Sequence, residues 1–462
     1  MTTELNSDCL NLIFDELIYD KKSLHSCLLV NKRWCNVVVP ILWKRHAWSD
    51  CVKNFREVKM RRVFKTILSF LSSSSRLFLS DNEISIPPII PETTPTFNYI
   101  SFCNFPKDEI IKIIMRTIFK RIKSDDKKKI LEQEIYKLFI SQCKNIREIH
   151  LQTTHPLNSF PGASECFSQL YSLRIDMKSV NSEIIHGMAQ LCKDLNSLSI
   201  YNFSEDNLEL ISLINSQKKN LKELYIYATN DSVEKFMRVF MHNAEKLKQC
   251  LANSEFPNLK ILGVTELECF KELAMLIEKT KGNISRIYVY TTDKWVKDTE
   301  LLIQAVSKNC PKIKFLRTYI EPKYFINIKS VLLNCKNLEK LRLDNINRPR
   351  YDVENTGDEI LNILSEFSPD SLINITLSED WKFSIDTLTR FLESYRVRTL
   401  NEFDIIQRNT FNITSSHRDI INKYIKEGVI KRSNCTHIRL LDDSDSSDSS
   451  DSDVVSLYDV EI

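Results

Sequence analysis

Residues 192–200 read CKDLNSLSI, and residues 335–343 repeat the same arrangement as CKNLEKLRL. In both copies an apolar residue is followed by a second one three positions later and a third two positions after that. The last two alternate with polar residues, which is the spacing of a β-strand with one buried face. A cysteine stands three residues before the first apolar position, as it also does in CKNI at 143–146 and CPKI at 310–313. The pattern predicts a short strand, entered from a helix end, that recurs along the chain.

The same apolar triplet occurs in ten places, with first positions 24 to 38 residues apart and most separations between 24 and 28. A period of this size indicates a repeat protein in which each unit buries its apolar row against its neighbours. The triplets are Ile146-Ile149-Leu151, Leu170-Leu173-Ile175, Leu195-Leu198-Ile200, Leu221-Leu224-Ile226, Leu259-Leu262-Val264, Ile284-Ile287-Val289, Ile313-Leu316-Thr318, Leu338-Leu341-Leu343, Leu372-Ile375-Leu377 and Leu400-Phe403-Ile405. Ile100-Phe102 and Ile438-Leu440 look like partial copies.

Amphipathic helices are predicted between the strands. One strand and one helix per unit resembles the irregular, cysteine-bearing leucine-rich repeats. The resemblance implies an α/β solenoid over residues 96–441, with a curved parallel sheet inside and helices outside. The predicted helices are Ser182–Leu191, Asp206–Ile214, Ser232–Phe240, Glu268–Glu278, Glu300–Ser307, Tyr324–Leu333, Asp358–Phe367, Ile385–Leu392 and Ser416–Ile425, with Lys107–Lys123 and Lys127–Gln142 as a cap. One cysteine per repeat fits a buried helix end better than a metal site.

Side chains that alternate with the buried triplets should face outward on the inner sheet, Ser197, Ser199 and Tyr201 among them. Six of the 15 tyrosines fall at such positions, together with several basic residues. Tyrosine and arginine anchor protein interfaces well, so this face is the candidate substrate-binding surface. The alternative is that tyrosine simply favours β-strands. The candidate residues are Arg174, Tyr201, Tyr225, Tyr227, Arg286, Tyr288, Tyr290, Arg317, Tyr319, Lys340 and Arg342.

The N-terminal stretch LNSDCLNLIFDELIYDKKSLHSCLLVNKRWCNVVVPILW, residues 5–43, predicts three short helices. Asn6, Ser7 and Asp8 can cap the first, Ser23 the second and Asn31 the third, which Pro40 should end. So short a segment has more apolar surface than it can bury internally, which indicates contact with another protein.

The order and spacing of the apolar residues in this stretch resemble an F-box, the helical module that binds the Skp-type adaptor of cullin-based ubiquitin ligases. The resemblance covers about the first tenth of the chain and implies a bridge between adaptor, cullin and a substrate protein. On it, residues 1–48 are assigned to the F-box. The implied adaptor-binding residues are Leu5, Leu10, Ile13, Phe14, Leu17, Leu24, Leu28, Val30, Trp34, Leu42 and Trp43.

Residues 49–95 should contain a helix over Cys51–Leu71 that supports the F-box from behind, then a stiff linker at Ser72–Ser75 and the prolines from Pro87 to Pro95. Residues 442–462 begin with six Asp and six Ser and are expected to be a disordered acidic tail. Ser450 and Ser456 are its candidate phosphorylation sites, although a purely solubilising tail fits equally well.

The remaining composition excludes several functions. The chain has only 6 glycines, no two of them close enough for a Walker or GxGxxG loop, and none of its eight histidines lies in a zinc-protease motif. No catalytic residue, metal or cofactor is therefore expected. The net charge of +3 becomes +11 for residues 1–441 once the eight acidic residues of the tail are removed (3 + 8).

We expect a soluble protein of the cytoplasm or nucleus, without a membrane segment. Its expected role is that of the non-catalytic substrate receptor of an SCF-type ubiquitin ligase. Two alternatives remain open: a scaffold that acts outside a ligase, and, less favoured, a solenoid that binds nucleic acid through the basic body.

Overall fold

The computed structural model describes residues 6–48, 57–86, 95–144, 146–228, 244–291, 296–345, 357–378, 381–406 and 413–437. It divides the chain into two compact units, Met1–Ile313 (unit 1) and Lys314–Ile462 (unit 2). Five sequence predictions lie outside the described residues: Leu5, the linker prolines Pro87, Pro88 and Pro91, the helix over Ser232–Phe240, the partial strand at Ile438-Leu440, and the acidic tail with Ser450 and Ser456.

Three helices form the N-terminal module: α1 (Ser7–Glu16), α2 (Lys21–Cys27) and α3 (Lys32–His46). Leu10, Phe14, Leu24, Val38 and Leu42 form its buried core. The Asn31 side chain accepts a hydrogen bond from the Trp34 amide at 2.8 Å, so the predicted cap of α3 is confirmed. The three-helix prediction for this stretch is therefore correct.

Three details of the module differ from the prediction. Asn6 precedes α1 without a side-chain capping hydrogen bond. Asp20, rather than Ser23, caps α2, and its carboxylate accepts from the amides of Lys22 and Ser23, both at 3.1 Å. Pro40 does not end α3 but lies inside it. A proline removes one backbone hydrogen bond, and the buried residues on either side of it, Val39 and Leu42, hold the helix together through packing.

Among the described residues, the back of α3 packs mainly against a 3-10 helix, Tyr99–Phe102, rather than against the 57–68 part of the helix predicted to support it. The Trp43 ring stacks on Tyr99 with centroids 4.7 Å apart, and Trp48 Nε1 donates to the Asn104 carbonyl at 3.1 Å. The predicted strand copy at Ile100-Phe102 is therefore wrong. These aromatic contacts join the module directly to the rest of unit 1.

Helix α4 (Glu57–Leu68) occupies the described part of the helix predicted at 51–71, and α5 (Ser73–Asp81) follows at once. Ser72 accepts a hydrogen bond from the Ser75 amide at 3.0 Å and caps α5. The serines are thus a helix start, and the prediction of a linker at 72–75 is wrong. The expected cap helices are present as α6 (Asp108–Ile118) and α7 (Asp125–Gln142).

In unit 1, six parallel strands pair in chain order. They are β1 (Glu148–Leu151), β2 (Ser172–Asp176), β3 (Ser197–Phe203), β4 (Glu223–Ala228), β5 (Ile261–Thr265) and β6 (Arg286–Tyr290). The helices between and after them are α8 (Ala163–Phe167), α9 (Ser182–Leu191), α10 (Leu208–Gln217), α11 (Glu245–Asn253), α12 (Phe270–Glu278) and α13 (Thr299–Asn309). The second and third residues of every predicted triplet in this unit are buried, which confirms the register.

Unit 2 continues the same alternation with parallel strands β7 (Phe315–Ile320), β8 (Lys340–Asn345), β9 (Asn374–Ser378), β10 (Leu400–Ile406) and β11 (Ile430–Arg432). Its helices are α14 (Phe325–Asn334), α15 (Gly357–Phe367), α16 (Ile385–Ser394) and α17 (Ser415–Lys426). Thr318 is fully buried and fills the third position of its triplet. The α/β class with a layer of helices beside parallel strands is confirmed, whereas α8, α11 and β11 were not predicted.

The recurring cysteines end helices. The amides of Cys143, Cys192, Cys310 and Cys335 donate to the carbonyl four residues earlier, at 2.8 to 2.9 Å, and all four side chains are buried. Each cysteine is thus the last hydrogen-bonded position before the chain turns into the next strand. The predicted structural role is confirmed. None of the helices in the described ranges combines the length and the hydrophobicity that a membrane span requires.

Candidate interaction surfaces

The N-terminal module exposes an unusual number of large apolar side chains. Leu12 is 70% exposed, Ile13 44%, Tyr19 87%, Leu29 89% and Val30 55%. These five residues, here called the apolar patch, lie on α1, in the turn after it, and in the turn after α2. Exposed apolar side chains in this number on a module of some forty residues make it a candidate protein-binding surface.

The structure divides the residues expected to bind the adaptor. Leu10, Phe14, Leu24 and Leu42 are buried in the core, so they shape the surface instead of contacting a partner. Three others pack against that core as partly buried residues, namely Leu17, Leu28 and Trp34. Trp43 faces Tyr99.

Of the expected adaptor-binding residues that the structure describes, Ile13 and Val30 belong to the apolar patch. Leu12, Tyr19 and Leu29 were missed. The sequence did contain a signal for them: each is an apolar residue that does not fit the i, i+3, i+4 spacing of the buried helix positions, which indicates an exposed side chain.

The second surface is the outward side of strands β1 to β6. Its tyrosines, Tyr201, Tyr225, Tyr227, Tyr288 and Tyr290, are half-buried and form the tyrosine face. The rings of Tyr201 and Tyr227 stack at 4.8 Å with 8° between their planes. The rings of Tyr225 and Tyr227 are parallel to within 6° at 6.1 Å. Three of the five rings, those of Tyr201, Tyr225 and Tyr227, are thus nearly parallel to one another.

Gly263 sets the position of Tyr225. The two residues are register partners on β4 and β5. A Cβ atom at Gly263 would lie 2.5 Å from Cδ1 and 3.1 Å from Cε1 of Tyr225, so any larger residue would displace the ring. Gly263 was not recognised from the sequence as part of this surface. A glycine inside a strand is the signal that a side chain approaches the backbone closely.

A β-bulge determines the orientation of the Tyr201 side chain. The register between β3 and β4 shifts after Ile200, and Asn202 adopts a left-handed conformation with φ of 53°. Its side chain donates to the Asp176 carboxylate at 2.7 Å, which fixes the bulge. Bulges re-orient the side chains beside them, and here the result is the stack of Tyr201 on Tyr227.

The tyrosine face is only partly accessible. Ser197 and Ser199, which were expected to face solvent, are buried, so this expectation is wrong. They are short side chains among long ones, and the larger neighbours cover them. Burial raises the pKa of Tyr225 and Tyr227, and burial lowers the pKa of His150, whose ring lies 5.7 Å from that of Tyr201. At neutral pH Tyr225 and Tyr227 therefore keep protonated hydroxyls, and His150 a neutral imidazole.

In unit 2 the outward row carries charges that are already paired. Asp344 is fully buried, and its Oδ2 lies 3.2 Å from Arg317 Nε and 3.6 Å from Arg342 Nε. Glu402 bridges Lys340 at 3.3 Å and Arg432 at 3.1 Å. The predicted basic residues of this unit are thus members of ion-pair networks.

Tyr319 is a correction to the expected face. It lies beside Asp344 in the register of β7 and β8 and is only 2% exposed. The alternation of side chains along a strand predicts which way a side chain points, but not whether other residues cover it. Asp344, Tyr319 and Ser378, all near the ends of their strands, are buried. Tyr319 therefore offers no surface to a partner.

We predict that Asp344→Asn lowers the free energy of unfolding of unit 2 by about 1.5–3 kcal/mol, because a buried carboxylate that holds two guanidinium groups is lost. Urea unfolding followed by hydrogen exchange would measure it. Asp370→Asn is the matched control, since the Asp370 carboxylate is exposed and 3.5 Å from Arg398. Equal effects of the two substitutions would contradict the structural role of Asp344.

The described residues contain no cluster of histidine, cysteine, aspartate and glutamate that could hold a metal ion. Burial raises the pKa of the Cys192 thiol to about 12 and that of Cys335 to about 11. A thiol with so high a pKa is a poor nucleophile and a poor ligand. These cysteines are therefore packing residues.

Comparisons with protein-family models and with curated proteins found no match to this sequence. Among solved structures, the chain is similar to the leucine-rich repeat-containing protein LegL7 from Legionella pneumophila, with 14% sequence identity and a TM-score of 0.36. The match covers 64% of this chain and 93% of that one. The repeat of one parallel strand and one helix is shown by the register and burial of this chain itself.

Proposed function

We propose that this chain is the substrate receptor of an SCF-type ubiquitin ligase: the N-terminal module binds a Skp-type adaptor and the repeat strands bind a protein substrate. The observation that carries the proposal is the apolar patch, five large exposed side chains on a module that already has a complete core. The F-box resemblance of the same stretch supplies the identity of the partner. The tyrosine face supplies a second, separate binding surface.

Such a receptor makes and breaks no covalent bond. It raises the effective concentration of a substrate lysine near a ubiquitin-loaded enzyme held by the same assembly. This role requires two surfaces that can be occupied together. The apolar patch lies on α1 and in the turns after α1 and α2, whereas the tyrosine face lies on β3 to β6, and no residue is shared between them.

The test is binding of the purified full chain to a purified Skp-type adaptor. Ile13→Asp or Leu29→Asp should weaken binding at least tenfold, because a carboxylate would be buried at the interface without a partner. Val397→Asp is the matched control, since Val397 is apolar and 94% exposed but lies in unit 2. All three variants should keep the wild-type thermal unfolding curve.

An absence of adaptor binding, or equal binding by all variants, would overturn the ligase role. Capture of a protein by the repeats without adaptor binding would instead support the scaffold. Reconstituted ubiquitin transfer to a bound partner, lost in Ile13→Asp and kept in Val397→Asp, would complete the case for the receptor.

A further inference from the structure

The faces of three tyrosine rings, those of Tyr201, Tyr225 and Tyr227, are turned toward one another. Tyr201 and Tyr227 stack on one another, and Tyr225 is parallel to Tyr227, so neighbouring tyrosines cover much of the ring faces. Bases of single-stranded nucleic acid bind by stacking on open ring faces. The row is therefore a poor platform for bases and a better one for a chain laid across the ring edges.

The hydroxyl groups at those edges are available to a ligand. Within the part of the chain that the structure describes, Tyr201, Tyr225 and Tyr227 make ring contacts and no side-chain hydrogen bond. Burial keeps the hydroxyls of Tyr225 and Tyr227 protonated by raising their pKa. A ligand that runs along the row thus meets a series of hydroxyl donors, and peptide carbonyls are suitable acceptors.

The charges of the surface are balanced. The outward positions of β1 to β6 carry Glu148, Asp176 and Glu223 against Arg174 and Arg286, two positive and three negative groups. His150 adds no charge at neutral pH because its pKa is lowered. Nucleic acid and strongly acidic peptides require a basic surface. An uncharged segment fits this one best.

We propose that the tyrosine face binds an extended, uncharged, proline-rich segment of the substrate in the polyproline II conformation; this inference rests on the proposed role of the repeat face as the substrate-binding surface. The polyproline II helix makes no internal hydrogen bonds, so its carbonyls are free to accept from the tyrosine hydroxyls. Proline also has no amide hydrogen that would lose water on the apolar ring edges without finding an acceptor.

Tyr225 and Tyr227 are nearly parallel and 6.1 Å apart, so one segment laid across them can contact both rings. Gly263 becomes a specificity-determining position, because it allows the Tyr225 ring to take its place in the row.

The test measures binding of the full chain to a fluorescent, end-blocked decaproline peptide, beside a length-matched glycine-serine peptide and decathymidylate. We expect saturable binding of decaproline alone. The double variant Tyr225→Phe/Tyr227→Phe should raise its Kd about tenfold, since two hydrogen bonds are lost while both rings stay. Gly263→Ala should also raise the Kd, through displacement of Tyr225. Tyr171→Phe is the control, because Tyr171 is 43% exposed and precedes β2, outside the row.

Four results would overturn the proposal. The first three are no saturable binding of decaproline at millimolar concentration, equal binding of the glycine-serine peptide, and preferred binding of decathymidylate with the same dependence on Tyr225 and Tyr227. The fourth is a Tyr171→Phe effect as large as that of the double variant. The same protein samples are tested for adaptor binding. Loss of peptide binding with adaptor binding intact refutes only this inference, whereas loss of adaptor binding by the unmodified chain refutes the proposed function.

Discussion

Phe14→Ala should unfold the N-terminal module and abolish adaptor binding as a consequence. Phe14 is fully buried, and its ring packs edge-on against Trp34 at 5.1 Å. Removing a buried phenylalanine costs about 3–5 kcal/mol, and a core built from five buried residues has little reserve to absorb such a loss. Hydrogen exchange measured by mass spectrometry would show it as lost protection of the α1 to α3 amides.

Ile13→Asp is the companion variant, because the neighbouring side chain is exposed and belongs to the apolar patch. We expect it to keep the protection of the module and to lose only the adaptor. The pair therefore separates the residues that build the surface from those that touch a partner. Normal protection and adaptor binding in Phe14→Ala would show that the buried core of the module is not what organises the patch.

Trp381→Ala should have a comparable effect in unit 2. The Trp381 side chain is fully buried and its ring lies edge-on to Phe325 at 5.1 Å and 87°. The chain beside it is also closely packed, since the Lys382 carbonyl accepts from the Gly357 amide at 3.1 Å and would lie 2.4 Å from a Cβ atom at that glycine. Deletion of the indole would leave a cavity at this point, at a cost of about 3–5 kcal/mol.

Urea unfolding of the full chain, monitored by hydrogen exchange in peptides of β7 to β11, would measure the change. Trp381→Phe is the matched variant because it keeps an aromatic ring against Phe325, and we expect it to recover most of the loss. An equally large loss in Trp381→Phe would mean that the size of the ring, rather than its contact with Phe325, is decisive. No loss in Trp381→Ala would contradict the packing described here.

The repeats could be predicted from the sequence because burial follows a strict local rule. In every repeat the second and third residues of the triplet, such as Leu198 and Ile200, are buried as the spacing requires. The cysteine positions were equally informative, since one residue type at one offset marks the same turn in several repeats. Local patterns of this kind survive folding because each repeat contacts mainly its neighbours.

The features that could not be predicted depend on contacts between distant residues. Pro40 lies inside a helix because packing outweighs one lost hydrogen bond. Tyr319 is covered although its alternation points outward. The row of parallel tyrosines needs both the bulge at Asn202 and the missing side chain at Gly263, on two different strands. The composition of the face was visible in the sequence, but its geometry was not.

The stack of Trp43 on Tyr99 and the hydrogen bond from Trp48 to Asn104 mean that the module is packed against the rest of unit 1 and not simply tethered to it. A flexible tether lets its two ends sample many distances, with an occupancy that depends on length. A packed contact instead holds the two parts in one relative orientation. The distance between a ligand on the tyrosine face and a partner on the apolar patch would then be fixed. The position of a reactive group along that ligand, and not merely its presence, would decide whether it can react.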